Sequence, residues 1–212
     1  MLKHKKSLIL STLLLLLPML AGLVLWNRLP DQLPIHWNAA GEIDGWSSKA
    51  VGVFGLPGLI LVIHWICILG THADPKRRNQ SGKLKQLLIW FCPVLSVLLS
   101  VVTLGTAMGG YFPIERILPV FVGVLFVIIG NYLPKCRQNY AIGIRLSWAL
   151  DSEENWNATH RIAGLVSVIG GVLLLLSVFL PVGWIVGMFL AVLLAVILVP
   201  TVYSYCYYRK HR

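Results

Sequence analysis

Six stretches of this chain, at residues 8–26, 51–69, 87–108, 117–133, 162–180 and 184–203, contain no Asp, Glu, Lys or Arg. Charged residues make up only 12% of the whole, where a soluble globular domain carries about a quarter, so that class is excluded. The four cysteines are equally uninformative as a framework. Cys67 and Cys92 fall inside apolar runs, Cys136 and Cys206 lie beside basic clusters, and no pair has CxxC spacing. Neither disulfides nor zinc are expected. Walker, GxGxxG, HExxH and GxSxG patterns are missing, which removes the common nucleotide-binding and hydrolytic classes. No basic stripe with interleaved aromatics lies outside the runs, so direct nucleic-acid binding is not expected. An ion-coupled carrier needs an ionisable group within the membrane. Only His64 qualifies; without an acidic partner in any run, it reads as a packing residue.

What remains is an anchor. Each uncharged run has 17 to 22 residues, close to the roughly 20 that carry a helix across a bilayer. The chain is therefore expected to be an all-α integral membrane protein with six transmembrane helices. Lysine and arginine set its direction: with the N-terminus inside, the inner segments carry 15 and the outer ones 3. The positive-inside rule then makes both termini cytoplasmic. Lys3, Lys5 and Lys6 give the first run the look of a signal peptide, but it extends to Trp26 and Met19-Leu20-Ala21 is a poor cleavage site. An uncleaved anchor is expected. Three parts follow: residues 1–70, a two-helix module with an outer loop; 71–116, the third span with flanking loops; and 117–212, spans four to six with a cytoplasmic loop at 134–161. Only Pro181, Val182 and Gly183 separate the last two spans. Ala163, Ser167 and Gly171 on one, and Gly183, Gly187, Ala191 and Ala195 on the other, give each a stripe of small residues. Such stripes let backbones approach in lipid, so these two helices are expected to pack through them.

Two polar segments interrupt the anchor. The outer loop at residues 29–49 carries Asp31, Glu42 and Asp44, with turn signals at Ala40-Gly41 and Asp44-Gly45. His36, Glu42 and Asp44 have the ligand types of a facial metal site, yet they share one glycine-containing loop with no second histidine. The preferred reading is a hydrogen-bonded loop in which His36 and Asp44 fix a turn, without metal or cofactor. His36, Trp37, Asn38, Asp44 and Trp46 are its candidate binding residues, because exposed tryptophans and acidic charge would attract a cationic peptide. The inner segment at residues 131–164 holds seven charged residues. Pro134 should stop a helix there and Gly143 should permit a tight turn. Asp151 with Glu154 reads as an acidic capping box. The helix it starts would set Trp156 and His160 on one face at i, i+4, available to one partner or a membrane groove. His160 near Asp151 or Glu153 allows acid–base chemistry, with Ser147 and Ser152 as the available hydroxyls. The preferred reading is a structural network, because no nucleophile–base geometry is evident. Within it, Arg145 is expected to clamp Glu153 or Glu154.

Both segments match family patterns. LPIHWNAAGEIDGWSSK, at residues 33–49, resembles the N-terminal domain that precedes SdpI-type modules. GNYLPKCRQNYAIGIRLSWALDSEENWNATHRIAG, at residues 130–164, resembles the signature of the SdpI immunity-protein family. Gly130, Asn131, Tyr132, Pro134, Asn139, Gly143, Ile144, Arg145, Trp148, Leu150, Ser152, Trp156, Thr159, His160 and Arg161 carry the fit; Leu146-Ser147 stands where members often have Thr-Pro. The resemblance implies a bacterial multi-pass cell-membrane protein, not an enzyme. Such a protein protects its cell from a secreted antimicrobial peptide toxin, and its partners are that toxin, the lipid bilayer and a cytoplasmic transcriptional repressor held at the membrane. Asn131, Pro134, Asn139, Gly143, Arg145, Trp148, Trp156, His160 and Arg161 are the binding residues it suggests. The alternative function is a small membrane transporter or permease subunit.

Overall fold

The computed structural model describes residues 5–211; Lys3 and His4 of the basic tail, and Arg212, lie outside the described residues. In order, the elements are α1 (Lys5–Val24), β1 (Gln32–Trp37), β2 (Ile43–Ser48), α2 (Leu56–Ala73), α3 (Gly82–Ala107), α4 (Ile114–Tyr132), the single turn α5 (Ser147–Leu150), α6 (Glu153–Leu176) and α7 (Val182–Lys210). Among the described residues, six helices are long and apolar enough to cross a membrane, as the sequence predicts. The segment at residues 29–49 departs from expectation. It is an antiparallel hairpin, not a loop, and Asp44-Gly45 lies in its second strand.

Local chemistry explains where the helices begin and end. α4 stops at Tyr132, and Leu133–Lys135 continues as one 3-10 turn with Pro134 at its start, a position where the missing proline N–H costs nothing. The cap of α6 is Ser152, not Asp151 as expected: its backbone is extended, and its hydroxyl accepts the Asn155 N–H at 3.2 Å. α5 causes the shift, because Asp151 has helical backbone angles and closes that turn. A serine cap stabilises a helix by about 1 kcal/mol.

The chain forms two compact units, Met1–Gly70 with Lys85–Ile114, and Thr71–Leu84 with Glu115–Arg212. In the first, Leu33 of β1 is completely buried with Leu29, Val53 and Leu104, which seats the hairpin by one face. A second cluster joins Leu15, Ile60 and Cys92. In the same unit His64 is fully buried, 3.3 Å from the Ser11 hydroxyl. In the second unit Leu84, Cys136 and Trp156 form the core cluster. The small residues of α6 serve a different neighbour from the one expected. A Cβ on Gly171 would lie 2.6 Å from the Gly123 carbonyl oxygen, and one on Gly164 2.7 Å from that of Gly130. Thus α6 meets α4 through its glycines, at a spacing only backbone can occupy. Toward α7 it presents Gly170, against Val192, whereas Cβ atoms on Gly183 or Gly187 would meet nothing within 4 Å.

Candidate functional site

Asn38 organises the hairpin. Its side-chain oxygen accepts the N–H groups of Ala40 and Glu42 at 2.9 and 3.0 Å, while its amide donates to the Glu42 carboxylate at 2.9 Å. Gly41 completes the turn with φ +83. Beyond the turn, His36 Nδ1 bonds the Asp44 carboxylate across the strands. These two meet, but Glu42 is turned to Asn38, so the three ligand types do not converge; among the described residues no such trio comes together. Trp46 is 53% exposed and Trp37 half-buried. The base is tied down by Lys49, which donates to the Trp26 carbonyl at 3.2 Å and lies over its ring.

The signature segment is assembled around side chains that face inward. Asn139 is completely buried. Its oxygen accepts the N–H groups of Ala141 and Ile142 at 3.0 and 2.7 Å, and its amide donates to the carbonyls of Arg137 and Ile142 at 2.9 and 3.0 Å. One side chain thus replaces the partners that a sharp buried turn would otherwise leave unmade. The Cys136 thiol lies within the same turn; burial pushes its pKa up, and the Asn139 hydrogen bond offsets part of that.

Trp156 and His160 share a face, as the spacing predicts, but both are fully buried and no partner can reach them. The Trp156 indole donates to the Cys136 carbonyl at 2.7 Å and stacks on the His160 ring at 4.1 Å. His160 Nδ1 lies 2.8 Å from the Trp156 carbonyl, and Nε2 lies 3.1 Å from the Ile144 N–H. A carbonyl can only accept and an N–H can only donate. The proton is therefore on Nδ1, the ring is neutral, and neither nitrogen is left for acid–base work. Gly143 closes this stack from the other side. It has φ +114, and a Cβ there would lie 2.5 Å from His160 Nε2 and 3.1 Å from the Trp156 ring. Any other residue meets both a strained backbone and a collision.

A second polar cluster ties the segment to α7. Asn155 donates to the Ser204 carbonyl at 3.1 Å and accepts from the Ser204 and Thr159 hydroxyls at 3.0 and 3.1 Å. Trp148 donates its indole N–H to the Ser204 hydroxyl at 3.1 Å. Arg145 is exposed and does not clamp an acid: Nη1 donates to the Tyr140 carbonyl at 2.9 Å, while Glu153 and Glu154 point to solvent. Asn131 and Arg161 are also exposed, and Pro134 lies against Gly164.

The sequence reading missed the loop at residues 71–84. Asp74 is 5% exposed. One carboxylate oxygen accepts the Tyr140 and Ala141 N–H groups, both at 3.1 Å, and the Gln80 amide at 2.7 Å; the other accepts the Lys76 N–H at 2.8 Å. Lys76 and Asn79 add bonds to Gln138. Its signal was legible in composition, since Asp74 is the only acidic residue between Asp44 and Glu115 and sits among cations.

Residues 135–204 match the model of the SdpI/YfhL protein family, and residues 13–61 match that of a domain of unknown function, DUF1648. Over 208 residues the chain is 26% identical to "Immunity protein SdpI" of Bacillus subtilis (strain 168), an alignment that covers 97% of each chain. No solved structure matches it. The resemblance to SdpI-type proteins thus extends over nearly the whole chain, and with its six apolar helices this is a multi-pass cell-membrane protein.

Proposed function

With that end-to-end resemblance as premise, we propose that this chain is a non-enzymatic membrane immunity protein that protects its cell against a secreted antimicrobial peptide toxin. The observation that carries the reading is the alignment with an immunity protein over 97% of both chains. Both termini and the signature segment are cytoplasmic in this reading, on the strength of the charge asymmetry. The hairpin faces outward and receives the toxin. Its exposed Trp46 and the acidic groups of Glu42 and Asp44 suit a cationic, partly apolar peptide. The signature segment works as a rigid platform, built from buried Asn139, Trp156 and His160, that presents exposed Asn131, Arg145 and Arg161 to a cytoplasmic transcriptional repressor. The test is survival. A toxin-sensitive bacterium expressing this protein should outlive the same strain with empty vector when challenged, and equal killing of the two at confirmed membrane expression overturns the reading.

A further inference from the structure

Lys83 and Lys135 reach toward one aromatic ring. Their ammonium groups lie 5.8 and 5.3 Å from the centre of Tyr132. Both lysines are exposed, and no carboxylate pairs with either among the described residues. The ring attracts each cation, but the two charges oppose one another and the protein supplies no anion between them. The ring itself is held in place, because Tyr132 packs against the cluster of Leu84, Cys136 and Trp156.

We propose that Lys83, Tyr132 and Lys135 form a site for the headgroup of an anionic phospholipid. Depth selects the lipid over other anions. Lys83 is the second residue of the apolar span Gly82–Ala107, and Lys135 is the last of Ile114–Lys135. Both ammonium groups therefore lie at the edge of the hydrocarbon layer, where headgroup phosphates are concentrated. The acyl chains also have a path. Val124 and Ile128 are exposed on α4 at intervals of four residues, and the next position in that series is Tyr132. A lipid whose chains follow that stripe brings its phosphate to the two lysines. This site uses none of the hairpin.

The test uses the full chain, purified in a neutral detergent and offered phosphatidylglycerol and phosphatidylcholine in equal amounts. Lipid retained is counted by native mass spectrometry. The wild-type protein should keep phosphatidylglycerol preferentially. Lys83→Gln and Lys135→Gln should each reduce that preference by about fivefold, whereas Lys83→Arg with Lys135→Arg should preserve it. Removing two charges elsewhere, by Arg209→Gln with Lys210→Gln, should also leave it intact. The proposal is overturned if the wild type shows no preference, if the glutamine variants retain it, or if the distant pair reduces it equally. A soluble-anion site is separated by competition. Inorganic phosphate that displaces the lipid more than chloride of equal ionic strength does would overturn the lipid assignment. One measurement needs no variant: phosphatidylglycerol should raise the melting temperature of the wild-type protein and phosphatidylcholine should not.

Discussion

His36 and His160 each hydrogen-bond through a ring nitrogen, but the His36 side chain is 69% exposed beside Asp44 and His160 is entirely buried against backbone. The same contrast separates Trp46, 53% exposed, from Trp156, completely buried. It separates Asn38, which shapes a surface turn, from Asn139, which shapes an interior one. The hairpin holds its form through its backbone, its Asn38 turn and the buried Leu33 and Pro34, so exposed side chains such as Trp46 are left to meet a ligand. The signature segment uses its side chains to fold itself. Substitutions in the first should change what the protein recognises, whereas in the second they should change whether it is folded.

The comparison breaks outright if the two segments are on the same side of the membrane. A cysteine at Ser47 should react with an impermeant thiol reagent in intact cells, and one at Asp151 should stay unlabelled until the cells are opened. Labelling at Asp151 from outside would remove the positive-inside assignment. Next in size is Trp156→Ala. It empties a fully buried site and leaves the Cys136 carbonyl without its donor, at a cost of about 3–5 kcal/mol. Thermal unfolding in detergent should show a melting temperature lower by ~10 °C; an unchanged value would contradict the inward role. Asp74→Ala follows. Four donors lose their acceptor at once, for about 1–3 kcal/mol, and limited proteolysis should then cut near Tyr140 faster than in the wild type.

The spans were legible because hydropathy is additive over some twenty positions and no tertiary partner is needed to read it. The hairpin was not. QLPIHW alternates poorly and contains a proline, a residue that argues against a strand, and the pairing is irregular between Pro34, His36 and Trp37. Gly45, read as part of a turn, instead pairs with His36, where a Cβ would lie 2.7 Å from the His36 Cβ. In the signature, spacing gave the shared face of Trp156 and His160 but not its burial, because Cys136 and Gly143 cover it from earlier in the chain. The stripe on α6 was visible for the same reason, while its partner was not: spacing says that a face is small and is silent on which helix meets it. Asp74 and Ser204 lie too far from the motif in sequence for any local pattern to attach them.

Trp37→Ala, Asp44→Ala and Trp46→Ala together should sharpen the contrast from the other side. Trp46 is largely solvent-exposed and the His36–Asp44 pair is a surface contact, worth less than about 1 kcal/mol. Membrane level and melting temperature should stay near the wild-type values while protection against toxin falls. Full protection would move recognition away from the hairpin.

The smallest expected effect belongs to Arg145→Lys, and it tests the boundary between the two kinds of side chain inside the signature itself. Arginine and lysine differ most where a guanidinium grips a carboxylate with two parallel bonds. Arg145 does not do so: one nitrogen donates to one carbonyl, that of Tyr140, from an exposed position. An ammonium can make the same kind of bond, and at this exposed position water competes for both groups, so little stability rests on it. Arg145→Lys should therefore leave melting temperature, protection and any repressor docking close to wild type at equal expression. Arg145→Gln, which keeps a donor but removes the charge, should be equally stable and should weaken docking alone if the exposed cation is what a partner reads. Loss of stability in the lysine variant would mean that the guanidinium geometry is structural, and Arg145 would then join Asn139 and Trp156 among the residues the segment uses to fold.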